Sequence, residues 1–391
     1  MHVRFSVFDI VCGANLYWET TLWQRPHHII SRLSKDRRIL YVRPIDFELY
    51  VKSRSVRAKA GLSQDGNIFL YSPFLFPLGS RFPAVRSVNN LLMTWRVKSF
   101  LERKKFRETV LWLYSPMSHY LIGKLNEKLL VYDCMDDHAS FRNAGGDLSV
   151  CEEKVLELSD IVFTGGKSLY EYKKEKNRST WLFPSAVDSV HFTKALDEKT
   201  SVPQDLKKIK LPVLGYFGAV DERLNYPLID KLAQKNREWS FVFIGPVKKV
   251  SGSELPVGKN IHFFGEREYS DLPAYIKGFS IGFMPFALNR HTVRISPTKT
   301  LEYLASGCPV VSTPVPDVVS TFGGIIDIAN DCENLSQQIR KVLAAPRKSK
   351  NTENGLKVAF SCSWDGMVEK MLKLVQGKIR VKMGAVPEGV I

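Results

Sequence analysis

Residues 295–311 read ISPTKTLEYLASGCPVV, and this stretch decides the fold. Pro297 suits the first turn of a helix because its missing N–H costs nothing there, and Gly307 ends that helix before an apolar strand. Lys299 and Glu302 are three residues apart and therefore project from one side of the helix. The stretch predicts a loop, a short helix and a strand, with a cation and a carboxylate near the helix start.

The start of this predicted helix has the chemistry of an anion site. Free N–H groups at a helix start favour negative charge, and Lys299 adds a full positive charge within one turn. A cation beside such amides suits a diphosphate, while Glu302 can accept hydrogen bonds from ribose hydroxyls. Thr298 and Thr300 flank the lysine and are predicted to bind the same ligand. The pattern favours a nucleotide-sugar site, and an ordinary surface Lys–Glu pair is the alternative.

The stretch resembles glycosyltransferase family 4, a family of retaining glycosyltransferases with the GT-B fold. In that family a helix reading roughly K-x-x-E-x-x-A-x-G-x-P-V carries the glutamate that binds the donor ribose. The matching positions here are Lys299, Glu302, Ala305, Gly307, Pro309 and Val310. The family places a second glutamate eight residues before the first, where this sequence has Arg294. The resemblance therefore implies donor binding at this helix, with Arg294 on the diphosphate or on an acidic sugar.

Apolar runs alternate with helical stretches on both sides of a polar segment, which is typical of parallel sheets covered on two faces. A chain of 391 residues also exceeds the size at which one core stops growing. We expect an α/β fold with Rossmann-like domains at 1–193 and 211–359, a linker at 194–210, and a first strand at Val3–Phe8. The resemblance implies the GT-B architecture, with the acceptor on the first domain, the nucleotide sugar on the second and a cleft between them. It also implies that a helix and tail at 360–391 cross back onto the first domain.

Strand ends in the second domain supply further donor-binding candidates. Gly218 and Arg223 follow an apolar strand, in a loop where relatives carry cations that bind the donor diphosphate. Ligands gather at the strand ends of open parallel sheets, which favours Arg223 over its alternative as a solvent-facing arginine. In the family, positions like Phe264 and Gly265 surround the base, so we expect their backbone to contact it.

The first domain offers two clusters of candidates. Asp136, Asp137 and His138 follow an apolar strand, where acids and a histidine need partners if they are buried. The resemblance places His138 against the transferred sugar. Asp136 and Asp137 are predicted on the acceptor or sugar side, with helix capping as the alternative for each acid. Arg25 and His27 are predicted to contact donor or acceptor, and anchoring the first helix is their alternative role. The acids do not form a D-x-D motif, and the resemblance implies that no metal cofactor is needed.

The net charge of +16 is unevenly distributed, because residues 43–107 contain thirteen basic and four acidic side chains. Basic and apolar residues mixed in this way suit docking on an anionic membrane, and a solvated basic face is the alternative. The sequence contains no recognisable nucleic-acid motif, so we expect no nucleic-acid partner. No apolar run reaches the roughly 20 residues that cross a bilayer. With six single cysteines and no signal-peptide core, we expect a cytoplasmic protein that is peripheral on the inner face of the plasma membrane.

The reaction implied by the resemblance is transfer of a hexose from a UDP- or GDP-sugar to a hydroxyl of a glycan or lipid-linked acceptor. Retention of anomeric configuration and a role in surface polysaccharide biosynthesis are expected. Catalysis is assigned to His138, Lys299, Arg223 and Arg294. An inverting GT-B transferase, with an acid as general base, is one alternative. A nucleotide-sugar 2-epimerase is another, and a basic scaffold on membrane or nucleic acid is the alternative that is not an enzyme.

Overall fold

The computed structural model describes residues 8–384 except 22, 46, 78, 80–81, 138–145, 290–291 and 347–348, and describes the backbone alone at 47–49, 55 and 146. It contains one sheet of eight strands and one of six, both covered by helices. All strand pairs are parallel except one at the edge of the first sheet. The predicted α/β class is therefore confirmed.

The first sheet is built from strands β1 (Ile10–Gly13), β2 (Ile39–Val42), β3 (Gly61–Asp65), β4 (Ile68–Ser72), β5 (Val110–Leu113), β6 (Leu129–Cys134), β7 (Ile161–Thr164) and β8 (Thr180–Leu182). Their order is β3-β4-β2-β1-β5-β6-β7-β8, with β3 antiparallel to β4. Of the predicted first strand Val3–Phe8, only Phe8 is among the described residues, and the first described strand begins at Ile10.

Helices cover both faces of this sheet: α1 (Arg25–Leu33), α2 (Phe47–Lys52), α3 (Arg54–Ala58), α4 (Pro83–Arg103), α5 (Gly146–Leu158), α6 (Lys167–Lys174) and α7 (Ser189–Phe192). Alternate residues of one strand enter different cores, since Ile10 and Cys12 belong to one apolar cluster and Val11 to the other. This two-sided burial explains why the strands read as continuous apolar runs.

The second sheet contains β9 (Val213–Phe217), β10 (Ser240–Ile244), β11 (Ile261–Gly265), β12 (Ile281–Met284), β13 (Val310–Ser312) and β14 (Asp327–Ile328), in the order β11-β10-β9-β12-β13-β14. The helices around it are α8 (Gln204–Lys207), α9 (Tyr226–Lys235), α10 (Leu272–Lys277), α11 (Lys299–Ala305), α12 (Pro316–Phe322), α13 (Cys332–Ala344) and α14 (Lys350–Ser361). Short 3-10 turns lie at Pro116–Leu121, Thr193–Leu196, Gly252–Glu254 and Tyr269–Asp271. Helix α8 falls inside the predicted linker, and its Leu206 is buried in the second core.

The last described helix, α15 (Trp364–Lys382), returns to the first sheet. It buries apolar side chains in a core of that sheet, namely Trp364, Met367, Val368, Met371, Val375 and Ile379. The crossing point is fixed by the backbone, because the N–H of Val187 donates to the carbonyl of Cys362 at 2.9 Å. Ser363 then caps α15 by accepting from the N–H of Gly366. The predicted crossing of the C-terminal helix is therefore present.

Candidate active site

A cleft lies between the two sheets, and its walls come from both. The second domain contributes strand-end loops and the start of α11, while the first contributes the start of α1 and the loop after β6. Trp364, at the start of α15, also lines it. The carboxyl ends of parallel strands meet at one edge of a sheet, and this edge is where open α/β sheets bind ligands.

Lys299 and Glu302 form an ion pair in the wall of this cleft. The Lys299 Nζ lies 2.8 Å from Oε2 of Glu302, with exposed side-chain fractions of 19% and 6%. The ammonium also lies 4.5 Å from the centre of the Phe217 ring. Two charges so far removed from water differ from a solvated surface pair, which contributes little to stability. The structure thus brings the two most strongly predicted residues together in the cleft.

The predicted residues that flank Lys299 have different surroundings. Thr298 lines the cleft. Thr300 is fully buried, and its Oγ1 lies 3.6 Å from the Met284 sulfur, so it faces the sheet. The side chain of Thr300 therefore does not reach the cleft in this structure, and its contact with the donor remains a prediction.

Gly218 lines the cleft beside Lys299, and Gly245 packs against it. Gly218 has φ +138° and Gly245 has φ +140°, both in the region that favours glycine. A Cβ atom on Gly245 would overlap the carbonyl oxygen of Gly218. A Cβ atom on Gly218 would lie 3.3 Å from Cε of Lys299. The bare backbone at Gly218 therefore leaves space next to the lysine.

Arg223 lines the same cleft and is held by Asp221. Its Nε donates to Oδ1 of Asp221 at 2.9 Å, and its Nη2 donates to Oδ2 at 2.8 Å. This two-point pairing fixes the direction of the guanidinium at the end of β9. The predicted cation thus lies on the cleft wall that also carries Lys299.

In the first domain, Arg25 and His27 are both largely occupied by the protein itself. The Nε of Arg25 donates to Oδ1 of Asp133 at 2.8 Å, with both side chains almost completely buried. Its Nη1 donates to the carbonyl of Phe183 at 2.6 Å, whereas its Nη2 is buried with no partner among the described residues. The Nδ1 of His27 accepts from the N–H of Gln24, and its Nε2 donates to the carbonyl of Tyr17. Arg25 also lines the cleft, so its Nη2 is the one nitrogen that remains available for the predicted contact with a ligand.

His28 is a cleft residue that sequence reasoning did not select. Its ring stacks on Trp364 at 4.7 Å between centroids and an angle of 7°, and its Nδ1 is buried without a partner among the described residues. Burial and the nearby positive charges of Arg32 and Lys299 lower the pKa of His28 well below its usual value. His28 is therefore a neutral imidazole at physiological pH. A signal existed in the sequence, because Arg25 and His28 are three residues apart on one helix face.

Asp137 and Arg294 meet across the domains. The Nη1 of Arg294 donates to Oδ2 of Asp137 at 2.8 Å, and the guanidinium carbon lies 4.1 Å from the centre of the Tyr172 ring. A second bridge lies nearby, where the N–H of Ser168 donates to Oδ1 of Asp317 at 2.9 Å. Asp136 lines the cleft, whereas His138 lies outside the described residues. Arg294 and Asp137 are thus partners of each other, which could not be deduced from the sequence.

Phe264 and Gly265, predicted to contact the base, are not among the described residues that line this cleft. The carbonyl of Phe264 accepts from Nη1 of Arg267 at 2.6 Å. The carbonyl of Gly265 accepts from the N–H of Gly245 at 2.8 Å. Both carbonyls are thus used within the second domain, and the base contact remains a prediction.

Two kinds of feature are absent from the part of the chain that the structure describes. No group of three or more His, Cys, Asp or Glu side chains within it is arranged to hold a metal ion. Nor does any helix in the described ranges have the length and apolar character needed to pass through a bilayer.

Comparison with known proteins agrees with this geometry. Residues 211–345, which contain the Lys299–Glu302 pair, match the family Glycosyl transferases group 1. The putative teichuronic acid biosynthesis glycosyltransferase TuaH of Bacillus subtilis is 32% identical over 107 residues. This match spans 27% of the present chain and 27% of TuaH.

Three solved structures share the architecture over nearly the whole chain. Sucrose-phosphate synthase of Thermosynechococcus elongatus has a TM-score of 0.71 at 13% identity, over 97% of this chain and 100% of its own. α,α-Trehalose 6-phosphate synthase of Burkholderia multivorans has a TM-score of 0.68 at 11% identity, over 99% and 100%. HepE of Anabaena, in complex with UDP and glucose, has a TM-score of 0.67 at 13% identity, over 94% and 99%.

Two sheets, a cleft between them and a returning C-terminal helix define the GT-B fold. Within it, residues 211–345 match the Glycosyl transferases group 1 family. The predicted GT-B fold is thereby confirmed, and the predicted resemblance to glycosyltransferases is supported by the match over residues 211–345.

Proposed function

We propose that the protein transfers a hexose from a nucleoside diphosphate sugar to a hydroxyl of a glycan or lipid-linked acceptor, with retention of configuration. The observation that carries this proposal is the buried Lys299–Glu302 pair in the cleft, at the helix predicted to bind the donor. UDP is the proposed nucleotide, because the fold is shared with HepE, which was solved with UDP and glucose. The resemblance to TuaH favours a surface polysaccharide as the product.

The proposed reaction depends on stabilising the departing diphosphate. As the bond from the anomeric carbon to the phosphate oxygen breaks, negative charge grows on the diphosphate and positive charge on the sugar. Cations already fixed in position stabilise that change without reorganising. Lys299 and Arg223 lie on the second-domain wall, and Gly218 leaves the lysine open to a ligand. On binding, the diphosphate would compete with Glu302 for the ammonium, which frees the carboxylate for the ribose hydroxyls.

The first-domain wall is proposed to hold the sugar and the acceptor. Neutral His28 offers a hydrogen bond without adding charge, and the free Nη2 of Arg25 offers another from a guanidinium whose charge is paired with Asp133. The acceptor hydroxyl attacks from the face that the diphosphate leaves and transfers its proton to a phosphate oxygen, which retains the configuration. No role in these steps is assigned to a metal. The predicted domain boundaries and the hinge at 194–210 belong to this proposal, since closure about a hinge excludes water from the donor.

The test is to bind and turn over defined donors. Purified protein is titrated calorimetrically with UDP- and GDP-sugars, and the product formed on polyprenyl-phosphate or glycan acceptors is analysed by NMR. We expect saturable binding of one UDP-hexose and a product with the anomeric configuration of the donor. Inverted configuration would indicate the inverting alternative, and release of free sugar without acceptor would indicate an epimerase. Absence of binding to every nucleotide sugar would contradict the proposal.

A further inference from the structure

Helix α4 of the first domain has an apolar face that points away from the core. Val88, Leu91 and Trp95 recur at helical spacing, and their exposed fractions are 50%, 71% and 63%. The opposite face of the helix is buried, through Met93, Val97, Phe100 and Leu101. A helix that is apolar on both sides is not explained by packing within its own domain alone.

A loop extends this apolar face. Phe74 and Phe76 are about half exposed, and the loop that carries them packs beside Leu92 and Arg96 of α4. Asn89 fixes the loop, because its Oδ1 accepts from the N–H of Phe76 at 2.8 Å and its Nδ2 donates to the carbonyl of Phe76. Phe82, the residue before α4, is 49% exposed as well. We call these exposed side chains together the α4 patch: Phe74, Phe76, Phe82, Val88, Leu91 and Trp95.

Basic side chains lie beside the α4 patch. The ring of Tyr50 lies 5.3 Å from that of Phe74 and so places α2 and α3 beside the patch, with Lys52 and Arg54 exposed. Lys98 is exposed on the outward face of α4 itself. Between residues 50 and 101 the sequence contains a single acidic residue, Asp65, which lies on the edge hairpin of β3 and β4.

We infer that the α4 patch docks on an anionic phospholipid bilayer. Phenylalanine and tryptophan insert favourably at the boundary between headgroups and acyl chains, and lysine and arginine beside them attract anionic lipid. An interface between two proteins would depend on shape complementarity, whereas exposed rings with cations beside them fit the charge and the polarity gradient of a membrane surface. The predicted basic segment 43–107 thereby gains a defined docking surface.

This docking places the cleft next to the membrane. The loop with Phe74 and Phe76 follows the carboxyl end of β4, and the cleft loop with Asp136 follows the carboxyl end of β6 in the same parallel sheet. Both loops therefore lie at one edge of the sheet. An acceptor anchored in lipid would reach the first-domain wall from the surface on which the protein rests.

The test is sedimentation of the full chain with vesicles, which measures binding and does not depend on the proposed reaction. Vesicles of phosphatidylcholine alone are compared with vesicles that also contain phosphatidylglycerol, at low and high salt. We expect binding only to the anionic vesicles, weakened by salt. Leu91→Glu/Trp95→Glu and Lys52→Glu/Arg54→Glu should each weaken binding about tenfold or more.

Control variants carry substitutions of the same kind elsewhere on the surface. Val257→Glu alters a side chain that is 91% exposed in the second domain, and Lys207→Glu/Lys208→Glu reverses two exposed charges outside the patch. Both should bind vesicles as the wild type does, and circular dichroism should show all variants folded. Equal loss in the control variants, or wild-type binding by Leu91→Glu/Trp95→Glu, would overturn the inference. The inference would also be overturned if the wild-type protein were a dimer that does not bind vesicles and that Leu91→Glu/Trp95→Glu dissociates. In that case a second copy of the chain would cover the patch.

Discussion

Arg294 and Asp137 join the two walls of the cleft, since the arginine belongs to the second domain and donates a 2.8 Å hydrogen bond to the aspartate of the first. The guanidinium is about one-third exposed, so solvent weakens the pair. We expect Arg294→Ala and Asp137→Asn to show a coupling of about 1 kcal/mol in a double-mutant cycle on unfolding by urea. The exposed pair Lys235–Glu333, within one domain, should give a smaller coupling. Additive effects of Arg294→Ala and Asp137→Asn would mean that the contact does not hold the domains together.

Lys299 is expected to act on turnover more than on folding. Lys299→Met removes the cation proposed for the diphosphate and should lower the initial rate of sugar transfer by about a hundredfold. It also leaves Glu302 buried without its partner, so some loss of stability is expected, and Lys299→Met/Glu302→Gln should recover that stability but not the rate. Lys231→Met, at an exposed position of α9, is the control. Transfer at the wild-type rate by a folded Lys299→Met protein would remove this lysine from the site.

Substitution of Arg25 can show whether this residue mainly stabilises the fold or mainly binds a ligand. Its ion pair with Asp133 is almost fully buried, so Arg25→Met should leave an unpaired buried carboxylate and cost about 3–5 kcal/mol of unfolding free energy. Adding Asp133→Leu should restore part of that loss, whereas Arg103→Met at an exposed site should cost little. If Arg25→Met kept its stability in urea but bound donor or acceptor weakly, the contact to ligand would be its main role.

His28 should make the fold sensitive to acid. Its pKa is lowered in the folded protein, mainly by burial, so the unfolded chain binds more protons below pH 6.5. The contribution of His28 to the free energy of unfolding is therefore largest above pH 6.5 and decreases as the pH falls below that value. His28→Asn should lower the melting temperature at pH 7 yet reduce its further fall between pH 6.5 and 5. His262→Asn, at a partly exposed ring, is the comparison, and an identical acid response in wild type and His28→Asn would contradict the prediction.

Gly245 is expected to tolerate no side chain. Gly245→Ala combines a positive φ with an overlap against the Gly218 carbonyl, so a loss of about 2 kcal/mol or more is expected in urea unfolding. Gly252→Ala is the matched control, because a Cβ atom there meets nothing within 4 Å. Equal stability of the two variants would show that the loops after β9 and β10 can separate without cost.

Helices and strands that are marked by residues close together in the sequence could be predicted. Residues 295–311 indicated a loop, a helix and a strand, and the structure has α11 from Lys299 and β13 from Val310. The edge strand β3 carries no such signal, because every one of its residues is exposed and no apolar alternation marks it. Only the Asp65–Gly66 turn, with Gly66 at φ +55°, indicated a hairpin there.

Contacts between distant parts of the chain could not be predicted. Burial is the main cause of the lowered pKa of His28, and Trp364, on which its ring stacks, is far from it in the sequence. Arg294 was assigned to ligand binding because it replaces a family glutamate, while its observed partner Asp137 belongs to the other domain. Local patterns thus located the cleft loops, and the pairing of side chains across the cleft required the folded chain.

The return of α15 also bears on how the protein is made. Ribosomes synthesise the first sheet early, yet Met371 and Val375, which complete one of its cores, and Trp364, which covers His28, are translated only after both sheets. A nascent chain that has emerged only as far as residue 360 therefore carries a first domain with an uncovered apolar face. Polypeptides interrupted before this helix should be held by chaperones or degraded rather than accumulate as half-enzymes.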